Sequence, residues 1–593
     1  MKKKLISIII PIVLIFVIGA VLVGNFLYKK YSYSDEMGDL DTHFNSMSVN
    51  EYLDELKANT AMEEIDSSFD LFNDTVESII PITIGVERTD IYAVKIADEY
   101  YLSYDNVKDV INDRFYIDSN EGYLLYATAT DVARANIESS NYVIKGEDKE
   151  FKTTIATYLA GEYYISLEYV KLFTNYTYDV FNQPYRLKLE TEFEERNVAS
   201  VSKDSAVRSK GGIKSPILKT VVEGERLIIL EELETWVEVM TNDLFIGYIE
   251  KKHIDGYTTY IEEKPTHYVE EEFTRIQKDR KISMGWHQVT NLSANSSIDE
   301  VLRESRGINV ISPTWYFLND NDGGFVDISS KSYVDKAHNK GVEVWALVEN
   351  IAYGNEISIY DILSYTSKRE KLISNLISST LAAGIDGINL DFETIPEEAG
   401  DHYVQFVREL SIACRLNELV FSVDNYVPMP HTDHYNRKEQ GVFADYVVIM
   451  GYDEHWHNSG DAGSVASIDF VELGIKKTLE DVPADKIINA IPFYTNIWTT
   501  KAGETTDKQV GMSYAEQTIA NYGVEAEWDE ETCQNYAEIV NGDELVQVWL
   551  EDEKSISVKL SVMDANNLAG VAQWKLGLEK DDIWDIIINY ISN

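Results

Sequence analysis

Three polar side chains alternate along an otherwise apolar segment of the chain. Residues 386–393 read Asp-Gly-Ile-Asn-Leu-Asp-Phe-Glu, with Asn389, Asp391 and Glu393 at every second position. Alternate residues of a β-strand share a face, so this spacing directs one amide and two carboxyl groups to the same side of one strand. Burial of unpaired carboxylates costs free energy, and we therefore expect this strand to use them for chemistry. Asp386 has the opposite parity and is expected to be a structural hydrogen-bonding partner.

From residue 281 onward, apolar strands alternate with helical patterns such as 369–383 and 402–416, which is typical of a parallel α/β unit. Eight strands in about 300 residues fit a (β/α)8 TIM barrel, and the long gap before the eighth predicts an inserted small domain at about 500–567. The eight predicted strands are 282–286, 308–313, 343–348, 387–392, 420–423, 446–450, 487–491 and 570–574.

Two further motifs stand at the ends of predicted strands. Residues 450–453 read Met-Gly-Tyr-Asp and end the sixth strand, and residues 573–574 read Gln-Trp and end the eighth. Active sites of such barrels lie at the carboxyl ends of the strands. The two motifs are therefore expected to meet the acidic pair of the fourth strand at one end of the barrel.

The three motifs, in this order, resemble the DxxDxDxE, M-x-Y-D and strand-eight tryptophan signatures of family 18 glycoside hydrolases. The resemblance covers residues 281–593. The stretch 548–560, VWLEDEKSISVKL, is similar to the bacterial subgroup that includes spore-cortex-lytic N-acetylglucosaminidases. Asn389 stands where the family usually has Asp, a replacement that this subgroup tolerates.

The resemblance implies substrate-assisted retaining hydrolysis of glycosidic bonds. Glu393 is then the general acid that protonates the leaving oxygen and later activates water. The 2-acetamido oxygen of the substrate attacks the anomeric carbon to give an oxazolinium ion. Asp391 holds the acetamido N–H and stabilises the positive charge, and Tyr452 donates a hydrogen bond to the acetamido oxygen.

Four more residues are expected to bind substrate. They are Asn389, Met450, Asp453 and Trp574. Trp574 is suited to stack on a sugar ring, whereas Asp453 is either a sugar ligand or a strand-end cap. Asn389 is expected to hydrogen-bond to Asp391 without adding a competing charge.

Other aromatic residues near strand ends either line the cleft or belong to the core, and the sequence does not decide between these two places. They are Trp286, Trp315, Trp345, Tyr494 and Trp498. His455 and His457 are typical of loop residues, and neither a metal nor a cofactor is expected. Cys414 and Cys533 are either two free thiols or one disulfide.

The net charge of −49 argues against nucleic acid or anionic lipid as a partner, because both require a basic face. An anionic wall polymer would also be repelled on average. Binding to such a polymer must therefore come from short-range sugar contacts.

The sequence of residues 1–30 predicts a short cytoplasmic segment followed by a transmembrane anchor. Residues 5–27 form a nearly uncharged run of sufficient length to cross a bilayer, and Lys2, Lys3 and Lys4 favour a cytoplasmic N-terminus. The expected localisation is the cell membrane, single-pass, with extracellular C-terminal domains; the alternative is a cleaved signal peptide. Residues 31–78 hold thirteen acidic residues and one lysine, and predict a solvated spacer with a short helix near 49–58.

Two modules are expected between the spacer and the barrel. Residues 79–190 predict an α+β domain that resembles the copper amine oxidase N-terminal-like domain of bacterial envelope proteins, although this segment has no histidine and no copper role. Residues 191–258 read as short strands and resemble a small bacterial SH3-type barrel, and 259–280 is a linker. Such modules indicate binding to the cell wall.

Three functions remain open from the sequence. The first is a hydrolase that cleaves β-1,4 bonds at N-acetylglucosamine in peptidoglycan. The second is a chitinase or an endo-β-N-acetylglucosaminidase that acts on other glycans. The third is a non-catalytic glycan-binding envelope protein.

Overall fold

The computed structural model describes residues 2–59, 66–350 and 357–592, with side chains over 16–58, 68–350 and 357–592. The chain divides into two compact units. The first comprises residues 1–115, 135–142 and 148–270, and the second comprises 116–134, 143–147 and 271–593.

The N-terminal part is a mixture of short helices and strands. Strands β4 to β8 form a five-stranded sheet in chain order, and a seven-stranded sheet has the order β11-β12-β1-β2-β3-β10-β9. The elements are α1 (Lys2–Tyr31), α2 (Leu40–Phe44), α3 (Val49–Asn59), α4 (Asp66–Thr75), β1 (Val76–Ile84), β2 (Glu87–Ile96), β3 (Glu99–Ser103), α5 (Tyr104–Val110), β4 (Phe115–Asp118), β5 (Tyr123–Ala127), β6 (Val132–Asn136), β7 (Asn141–Ile144), β8 (Glu147–Glu150), β9 (Ala156–Leu159), β10 (Glu162–Ser166), α6 (Leu167–Val170), β11 (Thr177–Phe181) and β12 (Arg186–Glu190).

Part of the acidic segment 31–78 is packed against this seven-stranded sheet, which corrects the expectation of a solvated spacer. The expected short helix is α3, and its Tyr52, Leu53 and Leu56 are buried with Phe72 of α4 in one apolar cluster. The acidic residues lie between these apolar positions on the solvent side of short amphipathic helices. The expectation of a spacer rested on the net charge of this segment and did not take account of the helical spacing of its apolar residues.

The predicted membrane anchor falls on α1, and the side chains of residues 1–15 lie outside those described. Among the described residues, no helix is both long enough and apolar enough to cross a membrane. The expectation of a single-pass protein of the cell membrane is therefore wrong by this finding.

A second sheet of the first unit contains seven strands in the order β15-β14-β18-β17-β16-β13-β19. Its apolar cluster includes Val207, Leu227, Val237 and Ile249. The strands are β13 (Glu195–Val201), β14 (Ser205–Arg208), β15 (Ile217–Val221), β16 (Arg226–Glu232), β17 (Trp236–Thr241), β18 (Ile246–Glu250) and β19 (Ile254–Ile261).

The second unit contains an eight-stranded parallel barrel with an inserted α+β subdomain. Its elements are β20 (Ile282–His287), α7 (Ile298–Glu304), β21 (Val310–Leu318), β22 (Phe325–Asp327), α8 (Lys331–His338), β23 (Glu343–Glu349), α9 (Ile359–Leu363), α10 (Thr366–Ala383), β24 (Gly387–Asp391), α11 (Gly400–Leu416), β25 (Val420–Tyr426), α12 (Arg437–Phe443), β26 (Tyr446–Met450), α13 (Ile468–Leu479), β27 (Ile487–Pro492), β28 (Tyr494–Lys501), β29 (Glu504–Gly511), α14 (Met512–Tyr522), β30 (Glu527–Asp529), β31 (Gln534–Asn541), β32 (Glu544–Leu550), α15 (Glu553–Ala565), β33 (Gly570–Trp574) and α16 (Ile583–Ser592).

The barrel closes through parallel pairs around the whole ring. The order is β20-β33-β27-β26-β25-β24-β23-β21, and β20 also pairs with β21 to complete the circle. All eight predicted strands are present, so the predicted TIM barrel is confirmed. The strands are buried along nearly their full length, as expected when helices cover the outside and side chains fill the inside.

Gly387 allows β24 to lie close to its neighbours at the base of the barrel. A Cβ at this position would lie 2.7 Å from the carbonyl oxygen of Val420 and 3.0 Å from Cδ1 of Trp345. Only glycine permits this approach without displacement of a strand. The close approach of Gly387 to the Val420 backbone therefore helps to place Asp391, which lies four residues further along β24.

The inserted subdomain lies between β27 and β33 in sequence. Its strands form a sheet of order β29-β28-β32-β31-β30 with its own apolar cluster, which includes Ile497, Ala515 and Val548. Strand β28 begins two residues after β27 ends, so the insertion starts at the carboxyl end of the seventh barrel strand. Both cysteines are free: Cys414 is buried and Cys533 is partly exposed.

Candidate active site

A small cavity lies at the carboxyl ends of the barrel strands, with a volume of about 130 Å³. Six of the seven residues that the sequence predicts for the site line it, including both predicted acids. Its lining residues are Trp286, Asp391, Glu393, Asp424, Tyr426, Met450, Tyr452, Asp453 and Trp574. The three sequence motifs therefore meet at one site.

Glu393 is held by its neighbours on both the backbone and the side chain. The Asn350 side chain donates to the Glu393 carbonyl (2.7 Å) and accepts from the Glu393 N–H (2.8 Å). The Tyr426 hydroxyl donates to Glu393 Oε2 at 2.6 Å. Two hydrogen bonds from Asn350, which follows β23, thus hold the backbone of Glu393, and one from Tyr426 of β25 holds its carboxyl group just beyond the end of β24.

Asn389 lies below the cavity and does not line it. Its Oδ1 accepts from the Trp286 indole N–H (2.9 Å) and the Ser312 hydroxyl (3.0 Å), and its Nδ2 donates to Ser422 Oγ (3.0 Å) and Asp424 Oδ1 (2.7 Å). The amide has two donor and two acceptor positions, and all four are used. The expected hydrogen bond from Asn389 to Asp391 is therefore not formed, and the expected substrate contact of Asn389 stays a prediction.

Three carboxyl groups lie side by side on adjacent strands. Glu349 of β23 pairs directly with Asp391 of β24. Leu390 pairs with Val423 of β25, so the next residue pair in the same register is Asp391 and Asp424. Burial and the neighbouring acids raise the pKa of Asp391 and Asp424 well above the ordinary value for aspartate.

Met450, Tyr452 and Asp453 enter the cavity from the end of β26. Tyr452 is nearly fully buried, and its ring packs edge to face with Tyr494 at 6.2 Å. The Tyr494 hydroxyl donates to Asp453 Oδ1. Asp453 has a left-handed backbone conformation (φ 61°), which turns the chain away from the strand at this point.

Trp286 and Trp574 form an aromatic wall of the cavity. Their rings pack edge to face with 5.7 Å between centroids. Trp315, Trp345 and Trp498 are fully buried elsewhere and belong to packing. Of the aromatic residues left open by the sequence, Trp286 lines the cavity directly and Tyr494 acts on it through Asp453.

Trp456 is a large aromatic side chain on the loop after Tyr452, and 60% of its surface is exposed. Its turn is held against the inserted subdomain, because His457 Nδ1 lies 2.7 Å from Asp507 Oδ2 and the Asn458 N–H donates to Asp507 Oδ1 at 2.8 Å. The histidines are loop residues, as expected. Within the described ranges, no group of three or more His, Cys, Asp or Glu side chains is arranged to hold a metal ion.

Sequence reasoning missed Glu349, Asp424 and Tyr426. The predicted strands ended at 348 and 423, whereas β23 continues to Glu349 and β25 continues to Tyr426. The signal was the polar alternation of Ser422, Asp424 and Tyr426. It has the same period as that of Asn389, Asp391 and Glu393, and it faces the same side of the sheet.

Glu349 gives a prediction about stability. Burial and the charge of Glu393 raise the pKa of Glu349 to about 7. A carboxyl group with a raised pKa in the folded state contributes stability at low pH, which is lost as the pH rises from about 4.5 through about 7. Glu349→Gln is therefore expected to stabilise the barrel above pH 7 by about 1–2 kcal/mol, after allowance for partial solvent screening.

Thermal unfolding by calorimetry at pH 4 and pH 8 measures this effect. The melting temperatures of the parent and the variant should agree at pH 4 and separate at pH 8, with the variant higher. A difference of the same size at both pH values would show that ionisation of Glu349 is not its cause.

Comparison with known proteins agrees with this geometry. The model of the glycosyl hydrolases family 18 matches residues 245–579. The uncharacterized glycosylase YvbX of Bacillus subtilis (strain 168) is 24% identical over 288 residues, which cover 46% of this chain and 81% of that protein. The cortical fragment-lytic enzyme of the same organism is 27% identical over 249 residues, which cover 40% of this chain and 57% of that enzyme.

Among solved structures, the chitinase from Chromobacterium violaceum ATCC 12472 is 22% identical, with a TM-score of 0.48, over 53% of this chain and 99% of that chain. The present chain spans little more than half the length of the cortical fragment-lytic enzyme. The family match, in contrast, includes the whole cavity wall and more than half of the 593 residues. The chain belongs to glycosyl hydrolase family 18 and is a glycosidase.

Proposed function

We propose that this glycosidase cleaves β-1,4 bonds at N-acetylglucosamine in peptidoglycan by substrate-assisted retaining catalysis. The observation that carries the proposal is the pair of Asp391 and Glu393, two residues apart at the end of β24, in one cavity with Tyr452 and Trp574. Two carboxyl groups on one strand face can serve two neighbouring groups of a single sugar unit. One acts at the glycosidic oxygen and the other at the 2-acetamido group.

Glu393 is the general acid and base in this scheme. Its carboxyl group protonates the leaving glycosidic oxygen, and the resulting carboxylate then takes a proton from the attacking water. The Tyr426 hydroxyl donates to Oε2 at 2.6 Å and orients the carboxyl group. The Asn350 clamp on the backbone keeps the carboxyl group aimed at the same point throughout.

Asp391 and Tyr452 act on the acetamido group. The acetamido oxygen attacks the anomeric carbon while Asp391 accepts the acetamido N–H and faces the positive charge of the oxazolinium ion. Tyr452 donates to the acetamido oxygen and aligns it for attack. At about 30 Å³ per water, the cavity has room for roughly four waters, which is close to the size of the four heavy atoms of an acetamido group.

The sugar ring lies against aromatic surface. Trp574 and Trp286 supply a face on which the C–H groups of a pyranose can stack. Met450 and Asp453 complete the wall, with Asp453 oriented by the Tyr494 hydroxyl. Trp456, exposed on the adjoining loop, provides a second stacking surface for a longer glycan.

Peptidoglycan is favoured over other N-acetylglucosamine polymers by two observations. One relative is named a cortical fragment-lytic enzyme, and the chain carries three further β-sheets before the barrel. We interpret residues 79–190 as a copper amine oxidase N-terminal-like module and 191–258 as an SH3-type module, both of which bind or reach the wall. Because the net charge is −49, their wall contacts must be short-range contacts to sugar rather than charge attraction.

Mass spectrometry of digestion products tests the substrate class. The purified full chain is incubated with purified peptidoglycan and, separately, with chitin oligomers. We expect muropeptides with N-acetylglucosamine at the new reducing end, and slower cleavage of chitin oligomers. Products from chitin alone would replace peptidoglycan by chitin as the substrate, and products from neither would overturn the proposed function.

A further inference from the structure

Asp391 and Asp424 are neighbours in the barrel interior. The register of β24 and β25 places them side by side, and both line the cavity. Parallel strands lie about 4.8 Å apart, so two in-register side chains on the same face are within contact distance. Asp391 is 7% exposed and Asp424 is 1% exposed, so little solvent separates or screens them.

Each of these carboxyl groups has one oxygen without a partner. Asp391 Oδ1 and Asp424 Oδ2 are buried and make no hydrogen bond to any described residue. The other oxygen of Asp424 accepts from Asn389 Nδ2 at 2.7 Å, which fixes the orientation of this carboxyl group. A buried acceptor without a donor is costly, and two of them on neighbouring strands require an explanation.

We propose that Asp391 and Asp424 share one proton between these two oxygens, so that the pair carries a single negative charge and Asp424 positions Asp391. The effect of this proton on catalysis rests on the proposed function, whereas its presence between the two acids does not. A shared proton supplies the donor that both oxygens lack. Two adjacent buried carboxyl groups do not both ionise, which is the general behaviour of such dyads.

The charges around the pair support this arrangement. The groups that act on the pKa of Asp391 after burial are Asp424, Glu393 and Glu349, which are all acids. Glu393 also raises the pKa of Asp424, whereas the hydrogen bond from Asn389 lowers it. The buried phenols of Tyr403 and Tyr452 stay neutral, because burial raises the pKa of each well above its ordinary value. One retained proton therefore relieves repulsion among four carboxyl groups.

The shared proton also explains the amide at position 389. A protonated Asp424 can donate through Oδ2 and still accept through Oδ1, and Asn389 provides the matching N–H. An aspartate at position 389 would place a further acid against Asp424 and would have no donor for it. Asn389 thus supports an acid pair whose two members, Asp391 and Asp424, lie on neighbouring strands rather than on the same strand.

In the reaction, the proton resides on Asp424 while Asp391 is the anion. This state keeps the negative charge on the carboxyl group nearer the acetamido N–H and the developing positive charge. No bond of the substrate is broken by Asp424, and no proton leaves the pair during the cycle. Asp424 is accordingly a positioning residue that acts through Asp391.

Asp424→Asn tests the proposal, because it keeps the size of the side chain and the acceptor for Asn389. We expect the acid limb of the kcat/KM profile to move toward neutral pH by about one unit, because an amide N–H stabilises the Asp391 anion less than a shared carboxyl proton does. We also expect kcat to fall about tenfold with little change in KM. An acid limb that overlays that of the parent would overturn the proposal.

Infrared titration of the carboxyl C=O band tests the proton without reference to activity. The parent should show two coupled steps for the pair, and Asp424→Asn and Asp391→Asn should each show one step at a pH that differs from both. Ser422→Ala, which removes a hydrogen bond to Asn389 but keeps both acids, should retain two steps. Independent titration of the two acids, with each pKa unchanged in the other's variant, would overturn the shared proton even if the enzyme cleaves its substrate as proposed.

Discussion

Replacement of Glu393 by Gln is expected to lower kcat about 1,000-fold on a natural glycan, because an amide cannot protonate the leaving oxygen. The amide keeps an oxygen that can accept from Tyr426, and the backbone clamp by Asn350 is unaffected. KM should therefore change little. Steady-state kinetics on N-acetylglucosamine oligosaccharides measure the loss.

A comparison of substrates with different leaving groups is the most specific control for this prediction. A substrate with an acidic phenol as the leaving group needs little protonation, so it should lose much less rate in Glu393→Gln than the natural sugar does. Glu397→Gln, an exposed glutamate outside the cavity, should behave as the parent. Equal losses for both leaving groups would remove Glu393 from the role of proton donor.

Replacement of Asp391 by Asn is expected to lower kcat by about 100-fold to 1,000-fold, for a different reason. The substitution removes the negative charge that faces the oxazolinium ion and the preferred acceptor of the acetamido N–H. Because this charge acts on the attacking half of the reaction, the loss should be similar for good and poor leaving groups. The contrast with Glu393→Gln separates the two roles in one set of substrates.

Stability provides an independent check on Asp391→Asn. The raised pKa of Asp391 means that its contribution to stability is present at low pH and is lost as the pH rises above the ordinary aspartate value. The asparagine variant should therefore melt at or above the parent temperature at pH 8 while it loses activity. Lower melting temperatures at every pH would indicate a folding defect instead, and Asp433→Asn, at an exposed position, controls for the substitution itself.

Much of the barrel could be predicted from the chain, because its signals are local. Each parallel strand is buried on both faces and is therefore an apolar run, and the strand 570–574 was predicted with the bounds it has in the structure. The roles of Asp391, Glu393 and Tyr452 stay predictions, but their shared cavity follows from the rule that strand ends meet at one face.

The remainder of the site depends on contacts between strands. Asp424 and Glu349 were missed because a polar residue after an apolar run was interpreted as the end of the strand. In the barrel these residues continue the strand and face the interior. The partners of Asn389 come from β20, β21 and β25, a set that is fixed only by closure of the ring. Register and closure are long-range properties that single-segment periodicity does not contain.

The N-terminal errors have a similar origin. Composition identified the acidity of residues 31–78, but the apolar positions Tyr52, Leu53, Leu56 and Phe72 that bury this segment are few and widely spaced. Charge measures how a segment interacts with solvent on average. A few apolar residues at helical spacing decide whether it packs.

The anomeric configuration of the first product tests the central claim most directly. Proton NMR during hydrolysis of an N-acetylated oligosaccharide should detect the β-anomer first, and the matched substrate without its N-acetyl group at the cleaved unit should not be hydrolysed. This result is predicted because the acetamido oxygen is the nucleophile and Asp391 holds its N–H. The α-anomer as first product, or equal hydrolysis of the deacetylated substrate, would contradict substrate-assisted catalysis by Glu393 and Asp391.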